Sequence, residues 1–115
     1  ARTIDFMGED LRIYATPELI RDIEQTCRDL LVEHCDEGED SVGTHVSVAH
    51  TAATPMGMDV DITATVAKVE GRLVTLEVTA SDNIEECGKG KHTRFVVDMA
   101  KTGERLAAKV AKANL

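Results

Sequence analysis

The chain reads as an α+β fold: one long amphipathic helix followed by about four antiparallel strands joined by short turns. Two observations predict it. Between Pro17 and about His34, the residues Leu19, Ile20, Ile23, Cys27, Leu30 and Leu31 fall within one arc of about 120° at the helical period. From Val42 onward, apolar and polar residues alternate at every second position, in runs separated by turn residues.

Each element has a local reason. Residues 1–15 carry little pattern beyond a short extended piece around Leu11, Ile13 and Tyr14. Thr16 reads as a helix N-cap, with Pro17 at the first helical position and Glu18 in the favourable first turn. The acidic stretch Asp36-Glu37-Gly38-Glu39-Asp40 stops the helix. Val42, Thr44, Val46 and Val48 then alternate with Gly43, His45, Ser47 and Ala49. Thr54-Pro55-Met56-Gly57 is a turn. Val60, Ile62, Ala64 and Val66 alternate with Asp61, Thr63, Thr65 and Ala67, and Glu70-Gly71-Arg72 turns the chain back. Val74, Leu76, Val78 and Ala80 form the third run, Asp82-Asn83 the next turn, and residues 86–99 the last strand. Residues 103–113 have good helix propensity and read as a short helix or a tail.

Bulk properties bound the function. A chain of 115 residues with 43% hydrophobic content is one domain, residues 1–115, with one core. Aromatics are only 3%, so aliphatic side chains build that core, and a small domain of this kind often buries more surface by self-association. A net charge of −8 argues against a nucleic-acid partner, which needs a basic footprint. No apolar run approaches the roughly 20 residues of a membrane span. Cys27, Cys35 and Cys87 are odd in number and lack CxxC spacing, which fits a reducing, cytoplasmic setting better than a disulfide framework.

Several residues suggest chemistry, each with a plainer reading beside it. Glu24 lies about 20° from Leu31 on the helical wheel, at the edge of the buried stripe, where a carboxylate's ionisation and orientation are set by the protein. Its plain reading is a boundary residue bonded to Arg28 or to backbone. Thr16, besides capping, would hold a hydroxyl beside free backbone N–H groups. Thr16 and Glu24 are about 12 Å apart along the axis, so a substrate or third group must bridge them. His50 ends a strand and would act as a general acid or base if paired with a carboxylate. His45, five positions earlier, points to the opposite face, so the two are a poor metal pair, and no metal site is expected. Gly43 in a strand marks a bulge or a close approach, as do Gly88 and Gly90. Lys89, Lys91, His92 and Arg94 form a basic run in an acidic chain, suited to a phosphate-bearing ligand or simply to a solvated strand end.

Taken together these strings resemble a known family. Tyr14-Ala15-Thr16-Pro17, Glu24, Ser41-Val42-Gly43-Thr44, Ala49-His50-Thr51-Ala52-Ala53-Thr54-Pro55 and Gly88-Lys89-Gly90-Lys91-His92-Thr93-Arg94 look like the hot-dog thioesterases of the fluoroacetyl-CoA thioesterase type, over residues 14–99. The resemblance implies a hot-dog fold, a long helix wrapped by an antiparallel sheet, in a homodimer with active sites near the interface. It implies hydrolysis of a short-chain acyl-CoA thioester, with CoA as part of the substrate and no separate cofactor. By position the family's catalytic Thr, Glu and His fall on Thr16, Glu24 and His50. Gly43 matches a glycine near the thioester, and Arg94 a position usually basic. Arg94, Lys89 and Lys91 are the expected contacts for the nucleotide end, and Ile20, Ile23 and Cys27 are candidate pocket walls. The sequence departs from the family before Thr16, where a Phe-bearing lid is replaced by Gly8-Glu9-Asp10-Leu11-Arg12-Ile13-Tyr14 and only Phe6 is aromatic. An N-terminal strand of the fold is expected to be cut short, since the chain starts at Ala1 without Met. The alternatives are a non-catalytic acyl-CoA-binding module of the same fold, or a hydratase or dehydratase of enoyl thioesters.

Overall fold

The computed structural model describes residues 3–5, 12–55 and 57–114. Phe6, residues 8–11 of the lid comparison and Met56 of the expected turn lie outside them. Two short strands, β1 (Thr3–Asp5) and β2 (Arg12–Tyr14), pair antiparallel apart from the main sheet. They are followed by α1 (Thr16–Val32), β3 (Glu39–His50), β4 (Asp61–Glu70), β5 (Leu73–Ser81), β6 (Glu86–Asp98) and α2 (Met99–Ala113). The four long strands form one antiparallel sheet in the order β3-β6-β5-β4. The expected long helix and four strands are all present. The 103–113 stretch belongs to a helix that starts at Met99, where the Asp98 carboxylate accepts the Lys101 amide as N-cap. No helix among the described residues is long and apolar enough to cross a membrane.

The core is the seam between α1 and one face of the sheet. Leu19, Ile23, Cys27 and Leu31, spaced four apart, are buried against Val74, Leu76, Val78, Ala80 and Cys87. Each large aliphatic buried this way contributes about 1.5–3 kcal/mol. Ile23 and Cys27 are therefore core and not pocket wall; of the three expected wall residues only Ile20 keeps some exposure. The fit is close enough to need small residues. A Cβ at Gly88 would lie 3.0 Å from the Leu19 side chain, and one at Gly90 would overlap the Ser47 carbonyl oxygen of β3. Both glycines mark close approaches, as their place in the strand pattern suggests.

Register decides which residues share the helix-facing side of the sheet. In β6 these are Gly88, Gly90, His92 and Arg94, with His92 and Arg94 buried, while Lys89 and Lys91 are exposed on the other side. In β3 the pairing shifts between Gly43 and His45, so that Gly43 opposes Arg94 and His45 opposes Thr93. Thr44 is the extra residue of a β-bulge. Seven positions separate Gly43 from His50, which regular alternation would send to opposite faces. The bulge turns both to the inner side.

Candidate active site

The helix end nearest β3 is not built as a cap. Ala15, not Thr16, is the N-cap of α1, and no side chain caps the helix. Thr16 is the first helical residue, so its hydroxyl is free for other use. It meets His50 instead: Thr16 Oγ1 lies 2.7 Å from His50 Nδ1, across 34 residues of sequence. The other ring nitrogen, His50 Nε2, is buried and has no hydrogen-bond partner among the described residues. A buried nitrogen of that kind costs free energy until something occupies it.

Several groups hold this pair. The Tyr14 ring stands edge-on to the His50 ring, with centroids 6.3 Å apart at 76°. The Tyr14 hydroxyl donates to the Asp22 carboxylate one helical row away. Burial and that carboxylate push the phenol well above its ordinary range. The Tyr14 amide donates to the Thr54 carbonyl at 2.9 Å, and the Thr54 hydroxyl, itself buried, donates to Asp82 at 2.9 Å. Asp82 also accepts the amides of Ile84 and Glu85, and these three bonds together hold its carboxyl below the usual carboxylate range. On the strand side, the amides of Thr51 and Ala52 both reach the Cys87 carbonyl. The segments that flank the pair are thus tied to the β5–β6 turn, through Tyr14 and Thr54, and to the start of β6, through Thr51 and Ala52.

Glu24 is half-buried on the flank of α1. At the helical period Thr16, Ile20, Glu24 and Arg28 form one row that drifts to a single side of the core stripe. That side is the β3 side, since Thr16 bonds His50 and Arg28 bonds Asp40, both in β3. Asp22 and Thr26 lie on the opposite flank, facing Val60 and Ile62 across a cavity of about 290 Å³. Glu24 does not touch Thr16 or His50 through any hydrogen bond among the described residues. It sits along the same row, with Ile20 between.

The far end of the inner face holds Arg94. Its Nε donates to Ser41 Oγ at 2.7 Å, its Nη2 to the Ser41 carbonyl at 2.7 Å, and its Nη1 to His92 Nε2 at 3.2 Å. Burial lowers its pKa, and the charge of Glu24 is the strongest influence opposing that. Gly43 lies directly over this cluster. A Cβ there would come 3.1 Å from His92 Cε1 and 3.6 Å from Arg94 Nη1. Burial likewise pushes the Cys27 thiol up to about 11, which leaves it inert as a nucleophile.

The structure therefore brings together Thr16 and His50, sets Glu24 on the adjoining helix flank, and puts Gly43 and Arg94 on the same sheet face. It does not bring Lys89 and Lys91 to that site. They project from the opposite side of β6, so the basic run divides into an exposed pair and a buried one, and Arg94 is not a surface contact for a nucleotide. Tyr14, Ser41, Thr54, Asp82 and His92 were not singled out individually by sequence. The legible signal for His92 was glycine and then polar residues (Gly88, Gly90, His92, Arg94) at the alternate positions where the inner face of a strand should be aliphatic.

The same assembly of elements occurs in known proteins. A family profile described as fluoroacetyl-CoA-specific thioesterase matches residues 1–100. The fluoroacetyl-CoA thioesterase of Streptantibioticus cattleyicolor is 36% identical over 97 residues, which is 84% of this chain and 70% of that protein. The chain belongs to the fluoroacetyl-CoA-specific thioesterase family. A solved structure of the fluoroacetyl-CoA thioesterase FlK superposes with a TM-score of 0.80 at 36% identity, covering 85% of this chain and 73% of that one. A thioesterase-superfamily member from Thermus thermophilus gives a TM-score of 0.82 at 26% identity, covering 96% and 80%. A hot-dog-like protein from Thermanaerovibrio acidaminovorans gives 0.81 at 29% identity, over 84% and 72%. The fold is the hot-dog fold that the resemblance implied, with α1 laid across the four-stranded sheet.

Proposed function

We propose that this chain hydrolyses a short-chain acyl-CoA thioester to the free acid and CoA, with Thr16, Glu24 and His50 as catalytic residues. Family membership supports the thioester-hydrolase class, and one geometric observation carries the site: a hydroxyl and an imidazole paired at 2.7 Å, with the second imidazole nitrogen buried and unpartnered. When Nδ1 accepts the Thr16 hydroxyl proton, the ring's own proton stands on Nε2, ready for the departing CoA thiolate. The Glu24 carboxylate either attacks the thioester carbonyl, expelling the CoA thiolate and forming a mixed anhydride that water then hydrolyses, or takes a proton from a water that attacks the carbonyl directly; both routes break the C–S bond and end at the same acid and thiol. Gly43, without a side chain, would present bare strand backbone to the acyl group. The proposal gives Lys89 and Lys91 no part in the chemistry.

A homodimer joined along β3 is part of this reading. β3 is an edge strand of 12 residues, and the row of Thr16, Glu24 and Arg28 runs beside it, so a second copy on that edge would close the site. Three free thiols fit the reducing cytoplasm. The deciding experiment follows free thiol from a panel of short acyl-CoAs with wild type, Glu24→Gln and His50→Ala. Thiol release that falls by about 10²- to 10⁴-fold in both variants is expected. Binding of CoA esters without any thiol release would turn the reading to a binding module, and near-normal turnover of Glu24→Gln would remove Glu24 from the site.

A further inference from the structure

His92 is almost wholly buried, at 1% exposure, in the inner face of β6. Both of its ring nitrogens are engaged. Nε2 faces Arg94 Nη1 at 3.2 Å, and Nδ1 faces the His45 carbonyl at 2.8 Å. A guanidinium only donates and a carbonyl only accepts, so a single arrangement satisfies both: the proton stands on Nδ1 and Nε2 accepts. The ring thereby links the bulged segment of β3 to the side chain of Arg94. It is also the group on which a Cβ at Gly43 would press most closely.

Among the described residues, Arg94 has no surface partner to orient it. Two of its bonds go to Ser41 and the third to His92. Ser41 grips Nε and Nη2, one edge of the planar guanidinium. Without His92, Nη1 would have no acceptor in its buried setting, and the plane would be free to tip about the Ser41 edge. Glu24 stands on the β3-facing row of α1 between the Thr16–His50 and Arg28–Asp40 contacts, alongside the stretch of β3 whose Gly43 pairs with Arg94, and its charge opposes the lowering of the Arg94 pKa by burial.

We propose that His92, in its Nδ1–H tautomer, is a positioning residue that fixes the Arg94 guanidinium beneath Gly43 and towards Glu24, and so sets the geometry of the reacting carboxylate. This rests on the thioesterase reading of Glu24. His92 touches no reacting atom; it acts through Arg94. Glutamine offers the same pair of functions, one acceptor and one donor, whereas leucine fills similar volume and offers neither.

The test measures kcat and KM for CoA release by the full chain in four forms: wild type, His92→Leu, Glu24→Gln and the double variant, with His92→Gln as rescue. His92→Leu is expected to lower kcat by about 10- to 100-fold with little change in KM. His92→Gln should restore much of that loss. In the Glu24→Gln background, His92→Leu should cost nothing further, because the group it positions is gone. A structural role alone would give the same fold-loss in both backgrounds, and that result overturns the proposal, as does unchanged kcat in His92→Leu. Turnover that collapses in Glu24→Gln but survives in His92→Leu refutes His92 alone, whereas turnover that survives in Glu24→Gln refutes the reading of Glu24 and its link to His92 together. If His92→Leu fails to fold, His92→Asn, too short to reach Arg94 but able to donate towards His45, replaces it in the same cycle.

Discussion

At one end of the inner sheet face a threonine hydroxyl and an imidazole meet at 2.7 Å, and the imidazole keeps one nitrogen unoccupied. At the other end a guanidinium spends three of its N–H groups on a serine and a histidine, and the histidine spends its own proton on a strand carbonyl. Both ends are polar islands against an aliphatic core, yet they are finished to different degrees. The Arg94 end is satisfied and buried, so disturbing it exposes charged groups to an apolar surrounding and costs stability. The Thr16–His50 end is left incomplete, which suits a place where substrate supplies the missing partner. An open hydrogen-bonding position and a finished polar network thus lie at two ends of one sheet face.

The strongest way to break that separation is at Gly90, midway between the ends. A Cβ there overlaps the Ser47 carbonyl and would lie 2.8 Å from Val48 Cα, backbone atoms that cannot swing aside. Gly90→Ala should force β3 and β6 apart and lower stability by about 3 kcal/mol or more, an effect of the size reserved for overpacking and broken strand pairing. Urea unfolding measures it. A variant that folds normally with both ends intact would show that the two strands can separate here without cost, and that the ends are not held by a common register.

Ser41→Ala tests the satisfied end alone. It removes the acceptor of Arg94 Nε while leaving the Ser41 carbonyl in place. A buried charged donor without its partner should cost about 1–3 kcal/mol. The loss is expected in the unfolding midpoint, with the Thr16–His50 pair undisturbed. His50 imidazole proton resonances in NMR spectra report on that pair directly, and a shift of those signals in Ser41→Ala would mean the ends communicate.

The contrast also explains what was legible in the sequence. The helix and the four strands were readable because Leu19, Ile23, Cys27 and Leu31 repeat at one period and Val74, Leu76, Val78 and Ala80 at another, and each period has one structural meaning. Thr16, Glu24 and His50 were candidates from their own positions, each with a plainer reading beside it, and gained weight together through the family strings. The cap reading of Thr16 failed because a threonine before Pro17 suits either N-cap or first helical position, and only the distant His50 breaks the tie. The grouping of Arg94 with Lys89 and Lys91 failed for a different reason: alternation along β6 sends even and odd positions to opposite faces. The placement of Gly43 on the same sheet face as His50 was beyond pattern reading altogether, since it depends on one extra residue at Thr44. Bulges change parity without changing composition.

The smallest effect belongs to the tether behind the unfinished end. Thr54→Val keeps the shape of a buried residue but removes the hydroxyl that Asp82 accepts. Asp82 retains the amides of Ile84 and Glu85, so the turn should persist and the melting temperature should fall only by a few degrees. Turnover should drop by less than about tenfold, because the Thr54 carbonyl still anchors Tyr14. Acid supplies the matching test in the wild-type chain. The Asp82 carboxyl titrates below its ordinary value of about 3.9 when folded. Its contribution to stability is therefore fully present above that ordinary value and is lost as pH falls through the lower, folded one. Wild type should lose more stability than Thr54→Val as the pH falls below about 4, since the variant has already given up one of the three bonds. Equal acid sensitivity in the two chains would mean that Thr54 contributes nothing to the charged state of Asp82, and that the hydroxyl tether fixes neither the turn nor the pair it supports.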